Sequence, residues 1–151
     1  MKPNIKIVPL ISRQDNPFDG QSTIVHAFKI INKSFFGAYD VEVIANYYTI
    51  KQANDGIVHR LYEKLPLKTN KVSYIKRFIP FKKKYGDNCA QFFTDEDLSH
   101  VVKNNKYVRF QVTARHSVTG LSNIQTFEFV NHTYIKNGFF VAGNSEKIQE
   151  N

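Results

Sequence analysis

Hydrophobic and polar residues alternate along most of the chain, and this alternation predicts β-strands. The clearest case is residues 108–129, VRFQVTARHSVTGLSNIQTFEF. Every second position of the first half is apolar: Val108, Phe110, Val112 and Ala114. Gly120 follows in a turn, and Phe127 and Phe129 return apolar side chains to the core. Because period-two alternation is typical of half-buried strands, we predict a β-hairpin with a polar outer face.

Similar patterns predict strands before and after this hairpin. The other candidate segments are 5–10, 23–32, 39–50, 59–67 and 72–81. Residues 12–22 are rich in turn-forming residues and separate the first two segments. Asn137-Gly138 lies between apolar runs in residues 134–141, and Asn-Gly in that setting is the strongest short-range hairpin signal. These segments together predict about seven to nine short strands.

One segment, residues 94–106 (TDEDLSHVVKNNK), carries a helix signal. Thr94 can cap the helix, and Asp97, three residues later, completes an acidic version of the capping box. The apolar residues that follow have the spacing of one buried helix face: Leu98, Val101 and Val102. We therefore predict one short helix.

These elements predict an all-β protein with that single helix. A chain of 151 residues is expected to form one domain, and one-sided strands bury their apolar faces when two sheets pack together. We predict one two-sheet β-sandwich over residues 1–151, with a core at 5–141 and a tail at 142–151. Nothing resembles a signal peptide or the ~20 apolar residues of a membrane helix, so we expect a soluble chain. The single Cys89 favours a reducing compartment.

The spacing of potential catalytic and metal-binding residues matches no known site. The five histidines are scattered along the chain: His26, His59, His100, His116 and His132. They include no H-E-x-x-H pair, and Cys89 has no C-x-x-C neighbour. Residues 15–20, DNPFDG, lack two of the oxygen ligands that a calcium loop needs. We therefore expect no catalytic residues, no metal, no cofactor and no enzymatic activity.

Four polar residues in the predicted strands have structural interpretations. His26 is in phase with apolar neighbours, which favours a hydrogen-bonded core histidine over a ligand. His116 ends a strand at the hairpin turn, where a solvated polar residue is ordinary. Arg109 and Arg115 share the outer face of the hairpin, and a solvated sheet face is more common there than a partner contact.

The positive charge of the protein is concentrated in one segment. The net charge is +8, and residues 64–84 hold eight basic residues and no acidic ones, while the rest carries 13 of each sign. The run ends in three adjacent lysines. We predict an anion- or partner-binding site at Arg77, Lys82, Lys83 and Lys84, with a solvated loop as the alternative.

Three anionic ligands fit such a segment: phospholipid headgroups, an acidic protein or nucleic acid. Four aromatic residues could stack bases: Tyr74, Phe78, Phe81 and Tyr85. Tyr74 and Phe78, however, alternate with Ile75 and Ile79 as sheet residues do. The RNA-recognition signature K/R-G-F/Y-G/A-F-V is absent from the sequence. Nucleic acid is therefore the least expected of the three.

The order of short motifs resembles the cytoplasmic domain of inward-rectifier potassium channels. The run IVPLISRQDNPFDGQSTIVHAFKIINKSFFGAYDVEV is similar to the start of that domain, including an N-K-S segment and a D-V-E-V strand. FTDEDLSHVV is similar to its short helix, and VRFQVTARHSVTGLSNIQTFEFVNHTYIKNGFF is similar to its closing hairpins. The likeness covers roughly residues 5–141.

This resemblance implies an immunoglobulin-like sandwich that lies in the cytoplasm at the inner face of a membrane. It implies a noncatalytic regulatory domain, a membrane pore domain as partner if the chain is a fragment, and a homo-tetramer. The sequence has no selectivity filter of the T-V-G-Y-G type, so these residues are not expected to conduct ions alone. The family's lipid-contacting residues do not match Lys82–Lys84, which are predicted on charge alone. The alternative is a freestanding sandwich that binds protein or nucleic acid through its basic surface.

Overall fold

The computed structural model describes residues 4–18, 23–80, 86–100 and 105–150. Within them the chain forms eleven strands and two short 3-10 turns. The strands are β1 (Ile5–Asp15), β2 (Ile24–Asn32), β3 (Ala38–Gln52), β4 (Val58–Lys64), β5 (Lys71–Ile75), β6 (Cys89–Thr94), β7 (Lys106–His116), β8 (Ser122–Phe129), β9 (Ile135–Asn137), β10 (Phe139–Phe140) and β11 (Ile148–Gln149). The 3-10 turns are Leu98–His100 and His132–Tyr134.

The strands form two main sheets. One sheet has the order β6-β2-β1-β9, and the other has the order β4-β3-β7-β8 with β5 beside β3. A third, two-stranded sheet joins β10 and β11. The prediction of an all-β, two-sheet sandwich is therefore confirmed, and the hairpin at 108–129 is observed as the antiparallel pair β7–β8.

One apolar core fills the space between the two main sheets. Phe28 on β2 stacks on Phe110 of β7, with ring centroids 4.6 Å apart, and also contacts the ring of Phe129 at 5.6 Å. The predicted inward positions of the β7 hairpin are all buried: Val108, Phe110, Val112 and Ala114. The two-residue period of the strands therefore places one face of each sheet in this core.

A second, smaller apolar cluster covers the opposite face of the four-stranded sheet. Its buried members come from β1, β2 and β10: Val8, Ala27, Ile31 and Phe140. Ile148 of β11 packs against them, and Gly143 is buried. The core boundary expected at residue 141 therefore needs correction, because the chain remains part of the packed structure beyond it.

The Asn137-Gly138 hairpin prediction is wrong. Ile135–Asn137 pairs in parallel with β1, while Phe139–Phe140 pairs with Ile148–Gln149. Gly138, with a φ of 130°, is the switch between the two ladders, and a Cβ there would collide with the backbone carbonyl of Gln149. Glycine is required by this close approach, and the two runs beside it pair with other strands.

The helix predicted over residues 94–106 is not observed in the described part of that segment. Thr94 is the last residue of β6, opposite His26, and Lys106 is the first residue of β7. Between them the structure shows a 3-10 turn at Leu98–His100, and residues 101–104 lie outside the described residues. The Thr94 hydroxyl accepts from the Glu96 amide, but it also donates to the Pro66 carbonyl, so it serves a turn.

Strand β1 runs through Asp15 and pairs with β2 up to Ile24, so the turn predicted at 12–22 begins later than expected. Its register shifts between Ile7 and Ile11, where Pro9 interrupts the ladder. No described segment forms a helix of the length and apolarity required to cross a membrane.

Candidate anion-binding surface

The end of β2 is tied to the segment after β5 by one buried amide. Asn32 accepts a hydrogen bond from the Ser34 amide at 2.9 Å through its Oδ1. Its Nδ2 donates to the carbonyls of Phe36 and Lys76, both at 3.0 Å. One side chain thus shapes the turn at 33–36 and fixes residue 76 against it.

Three further contacts join these two segments into one surface, and a fourth fixes the turn to the start of the chain. The Phe78 amide donates to the Ser34 carbonyl at 2.8 Å, and the ring centroids of Phe35 and Phe78 lie 6.4 Å apart. The Lys33 Nζ lies 5.8 Å from the Phe78 ring centroid, within range of a cation–π contact. The Asn4 amide donates to the Ser34 hydroxyl at 2.6 Å. We call this the basic-aromatic surface; its members are Lys33, Phe35, Lys76, Arg77 and Phe78.

Exposure sets this surface apart from an ordinary polar loop. The Phe35 side chain is 63% exposed although it is a large apolar ring, and Arg77, the residue before Phe78 in the chain, is also exposed. An exposed aromatic ring among cations is the arrangement found where proteins meet an anionic interface, since the ring has one apolar face and the cations hold the anion. Such an arrangement suits the binding of an anion.

Several cations of the basic segment are neutralised by carboxylates from elsewhere in the chain. The Lys68 Nζ lies 3.3 Å from the Asp95 carboxylate, and the Lys76 Nζ lies 3.3 Å from that of Asp87. Lys71 stands opposite Glu42 in the β3–β5 register. The charge count over 64–84 therefore overstates the free positive charge, because these acidic partners lie outside the segment.

The structure describes only part of the predicted binding site. Arg77 is exposed on the basic-aromatic surface. Lys82, Lys83 and Lys84 lie outside the described residues. Sequence reasoning missed Lys33 and Phe35, which precede the site by more than forty positions. Two adjacent phenylalanines after Lys33-Ser34 in a turn were the one available signal, since large apolar residues are uncommon in exposed turns.

A buried lysine is bound by the chain segment that follows β10. Lys29 lies on the outer face of β2 with 2% exposure, and its Nζ donates to the carbonyls of Val141, Gly143 and Ser145 at 2.8–2.9 Å. All three ammonium protons are therefore used. Burial lowers the pKa of Lys29, although Cys89 and Glu146 act in the opposite direction and Lys33 adds to the lowering.

Cys89 is beside this lysine and is not poised as a nucleophile. Its Sγ donates to the Gly143 carbonyl at 3.1 Å. Burial raises the pKa of the thiol, while Lys29 and Lys33 lower it in part. A reactive cysteine needs a lowered pKa, so burial and this hydrogen bond favour a structural role for Cys89.

Both strand histidines are buried, as predicted for His26 but not for His116. His26 is 1% exposed, as expected for a core histidine, but neither ring nitrogen has a hydrogen-bond partner within the described ranges. Burial lowers its pKa; Asp97 and the Glu96 backbone act in the opposite direction, and Arg13 adds to the lowering. His116 is also 1% exposed rather than solvated.

His116 holds the β7–β8 turn from inside. Its Nδ1 accepts from the amides of Val118 and Thr119, both at 3.2 Å, and its ring meets Phe36 edge-on with centroids 5.0 Å apart. The imidazole thus supplies the hydrogen-bond acceptor for two backbone amides of the turn. Among the described residues, no three His, Cys, Asp or Glu side chains converge as metal ligands would.

The two arginines of the hairpin have partners on the outer face of the five-stranded sheet. Arg109 lies over the Tyr62 ring at 5.8 Å, and Arg115 lies 3.6 Å from the Asp40 carboxylate. Beside them, burial first and then Glu128 raise the pKa of Tyr48 to about 12. This face is therefore a solvated sheet surface with its own internal contacts.

The molecule is thus a basic β-sandwich with one exposed aromatic and cationic surface. No family model matches the chain, and no curated protein matches it. Among solved structures it is similar to Spo0M, a sporulation control protein from Bacillus subtilis, at 12% sequence identity and a TM-score of 0.38. The match covers 89% of this chain and 49% of that one, so this chain spans about half its length. A likeness at this level carries no argument about function.

Proposed function

We propose that the protein is a noncatalytic regulatory domain that binds anionic lipid through the basic-aromatic surface and Lys82–Lys84. The observation that carries the proposal is the exposed Phe35 ring, which lies against Phe78 of the basic segment, next to Arg77 in the chain, with Lys33 over the same Phe78 ring. An aromatic ring that enters the headgroup layer and cations that contact phosphate act together at such an interface. The motif resemblance to inward-rectifier potassium channels supports a place at the inner face of a membrane, below a pore.

Lipid is a better ligand for this surface than nucleic acid. The rings of Phe35 and Phe78 are tilted by 60° to each other and Lys33 lies over the Phe78 ring, so they do not offer the parallel series of faces on which successive bases stack. Lys76 is already paired with Asp87, which leaves cations dispersed around an apolar ring. That distribution suits a fluid surface of headgroups.

The lysine run can be tested with lipid vesicles. We expect Lys82→Gln, Lys83→Gln and Lys84→Gln together to weaken binding to phosphatidylserine-containing vesicles by up to roughly a hundredfold, at about 1 kcal/mol per lysine. The salt dependence of binding should decrease in parallel, because fewer counterions are displaced. Vesicle co-sedimentation at several salt concentrations measures both.

A triple variant with the same loss of charge is the control. Lys51→Gln, Lys136→Gln and Lys147→Gln remove three exposed lysines on β3, on β9 and before β11. If this control weakens binding as much as the lysine-run variant, net charge alone explains the attraction. Unchanged binding by the lysine-run variant contradicts the proposal, as does tighter binding to a single-stranded oligonucleotide than to vesicles.

Phe35→Ser separates the aromatic contribution from the charge. We expect it to weaken vesicle binding without changing the salt slope, because it removes an inserted ring and leaves every cation in place. Its side chain is largely exposed, so the fold should be retained, as circular dichroism can verify.

A further inference from the structure

The hairpin formed by β3 and β4 exposes an unusual amount of apolar surface. Strand β3 is 15 residues long, and only its second half pairs with β4, all seven residues of which are exposed. Five large apolar side chains on the hairpin are 43–60% exposed: Ile50, Ile57, Val58, Leu61 and Tyr62. A two-stranded hairpin has marginal stability in water by itself, and exposed apolar patches of this kind mark contact sites.

The free edge of β4 has its own backbone groups available for pairing. The Leu65 amide donates to the Ala45 carbonyl at 3.0 Å, and the Ala53 amide donates to the Ile57 carbonyl at 2.9 Å. Because hydrogen-bonded pairs alternate along an antiparallel ladder, odd-numbered residues of β4 bond to β3. The even-numbered residues therefore direct their N–H and C=O groups outward: Val58, Arg60, Tyr62 and Lys64. In the part of the chain that the structure describes, β3 is the one strand that pairs with β4.

We infer that β4 pairs antiparallel with β4 of a second copy of this chain, across a two-fold axis at Leu61. In this register Arg60 of each copy forms a hydrogen-bonded pair with Tyr62 of the other. Leu61 then faces Leu61 of the second copy at a non-hydrogen-bonded position, where side chains approach most closely. His59 of each copy stands opposite Glu63 of the other, so an imidazole N–H can donate to a carboxylate twice.

The two symmetric registers nearest to this one are less favourable. Pairing Arg60 with Arg60 sets two guanidinium groups opposite each other, and pairing Tyr62 with Tyr62 sets Arg60 opposite Lys64. Like charges placed directly across a ladder are destabilising. Only the register centred on Leu61 combines an apolar centre with opposite polar pairs, as a self-complementary interface requires.

The Glu63 carboxylate remains available for this contact. It holds Lys106 at 3.6 Å on its own sheet, yet its side chain is 70% exposed. The cation of Arg60 is occupied by the Tyr48 ring and by Glu128, 3.3 Å away, so its backbone rather than its charge contributes to the pairing. The complementary side chains along β4 itself therefore point to a second copy of this chain as its partner.

Leu61→Lys tests the inferred pair. Sedimentation equilibrium from micromolar to millimolar concentration should show the wild-type protein approaching twice its 17.5 kDa mass. We expect Leu61→Lys to raise the dissociation constant by about tenfold or more, since it replaces an apolar contact with two facing ammonium groups. Val118→Lys, at an exposed turn residue, makes the same chemical change elsewhere and should leave association unchanged.

A mixing experiment identifies the register. Leu61→Glu alone should also be monomeric, but an equimolar mixture of Leu61→Lys and Leu61→Glu should recover a heterodimer, because lysine and glutamate then meet at the axis. A monomeric wild type, an assembly whose mass Leu61→Lys does not change, or a mixture that stays monomeric would each overturn the inference. Vesicle binding depends on other residues, so the two proposals fail separately.

Discussion

The two sheets of the sandwich differ in how many of their faces are covered. Strand β2, in the four-stranded sheet, is buried at eight of its nine residues, whereas β3, in the five-stranded sheet, alternates buried and exposed residues along its first half. The covering of β2 comes from β10 and β11, more than a hundred residues later in the chain. Whether a strand in the middle of a sheet is half-buried or fully buried therefore depends on whether a segment distant in sequence covers its outer face.

This difference predicts where the chain is sensitive to substitution. The inner faces of both sheets share one core, but only the four-stranded sheet adds a second layer with a buried charge in it. Changes on the outer face of β2 should therefore cost stability, and changes at the exposed outer positions in the first half of β3 should not.

The largest expected effect is at the center of the shared core. We expect Phe28→Ala to lower the free energy of unfolding by about 3–5 kcal/mol, because it leaves a cavity beside Phe110 and Phe129. Ile44→Ala, on the outer face of β3 with 45% exposure, should change it by less than about 0.5 kcal/mol. Urea unfolding followed by circular dichroism measures both. Equal effects would show that the face of β3 is covered in solution.

A smaller effect is expected at the second layer. Lys29→Met keeps the length of the side chain but removes three charged donors, so the carbonyls of residues 141, 143 and 145 lose their partner. We expect a loss of about 3 kcal/mol in the free energy of unfolding, together with faster amide exchange in β11. Lys51→Met, on an exposed position of β3, is the matched control. If the two variants are equally stable, water replaces the ammonium group without cost.

The smallest expected effect is a dependence of the free energy of unfolding on pH, which arises from His26 in the four-stranded sheet. Burial lowers the pKa of His26, although Asp97 and Glu96 oppose this lowering. The unfolded chain therefore binds a proton more readily, and stability present above pH 6.5 is lost as the pH falls below it, at up to about 1.4 kcal/mol per pH unit. His26→Gln should flatten this part of a stability curve measured from pH 7.5 to 5. A slope unchanged by His26→Gln contradicts the assignment.

Local patterns were sufficient to predict the half-buried strands and the sandwich they form. Val108 through Ala114 alternate cleanly because β7 has one buried face, and the 23–32 strand was recognisable from its inward residues. The helix prediction failed because Thr94 continues the ladder opposite His26, a partner far away in sequence. Cross-strand pairing there outweighs the local capping signal.

The remaining errors concern residues whose environment is made by distant segments. Lys29 is a charged residue in a strand, and nothing near it in sequence indicates that three carbonyls more than 110 residues later surround it. His116 is buried because Phe36 covers it. Asn137-Gly138 forms no hairpin because the residues before Gly138 pair with β1 and those after it pair with β11. In the candidate site, Arg77 was predictable from charge, but Lys33 and Phe35 are brought to the same surface by contacts between segments more than forty residues apart, through the Asn32 amide and the Phe78 ring.

The ammonium group of Lys29 has a chemical consequence for the end of the chain. An amine whose three protons are all engaged cannot present a lone pair to an acylating or alkylating reagent. Lys29 can therefore be modified only after residues 141–145 have separated from it, whereas the exposed lysines react in the native state. The rate at which this single amine is modified therefore reports how often residues 141–145 separate from the sandwich.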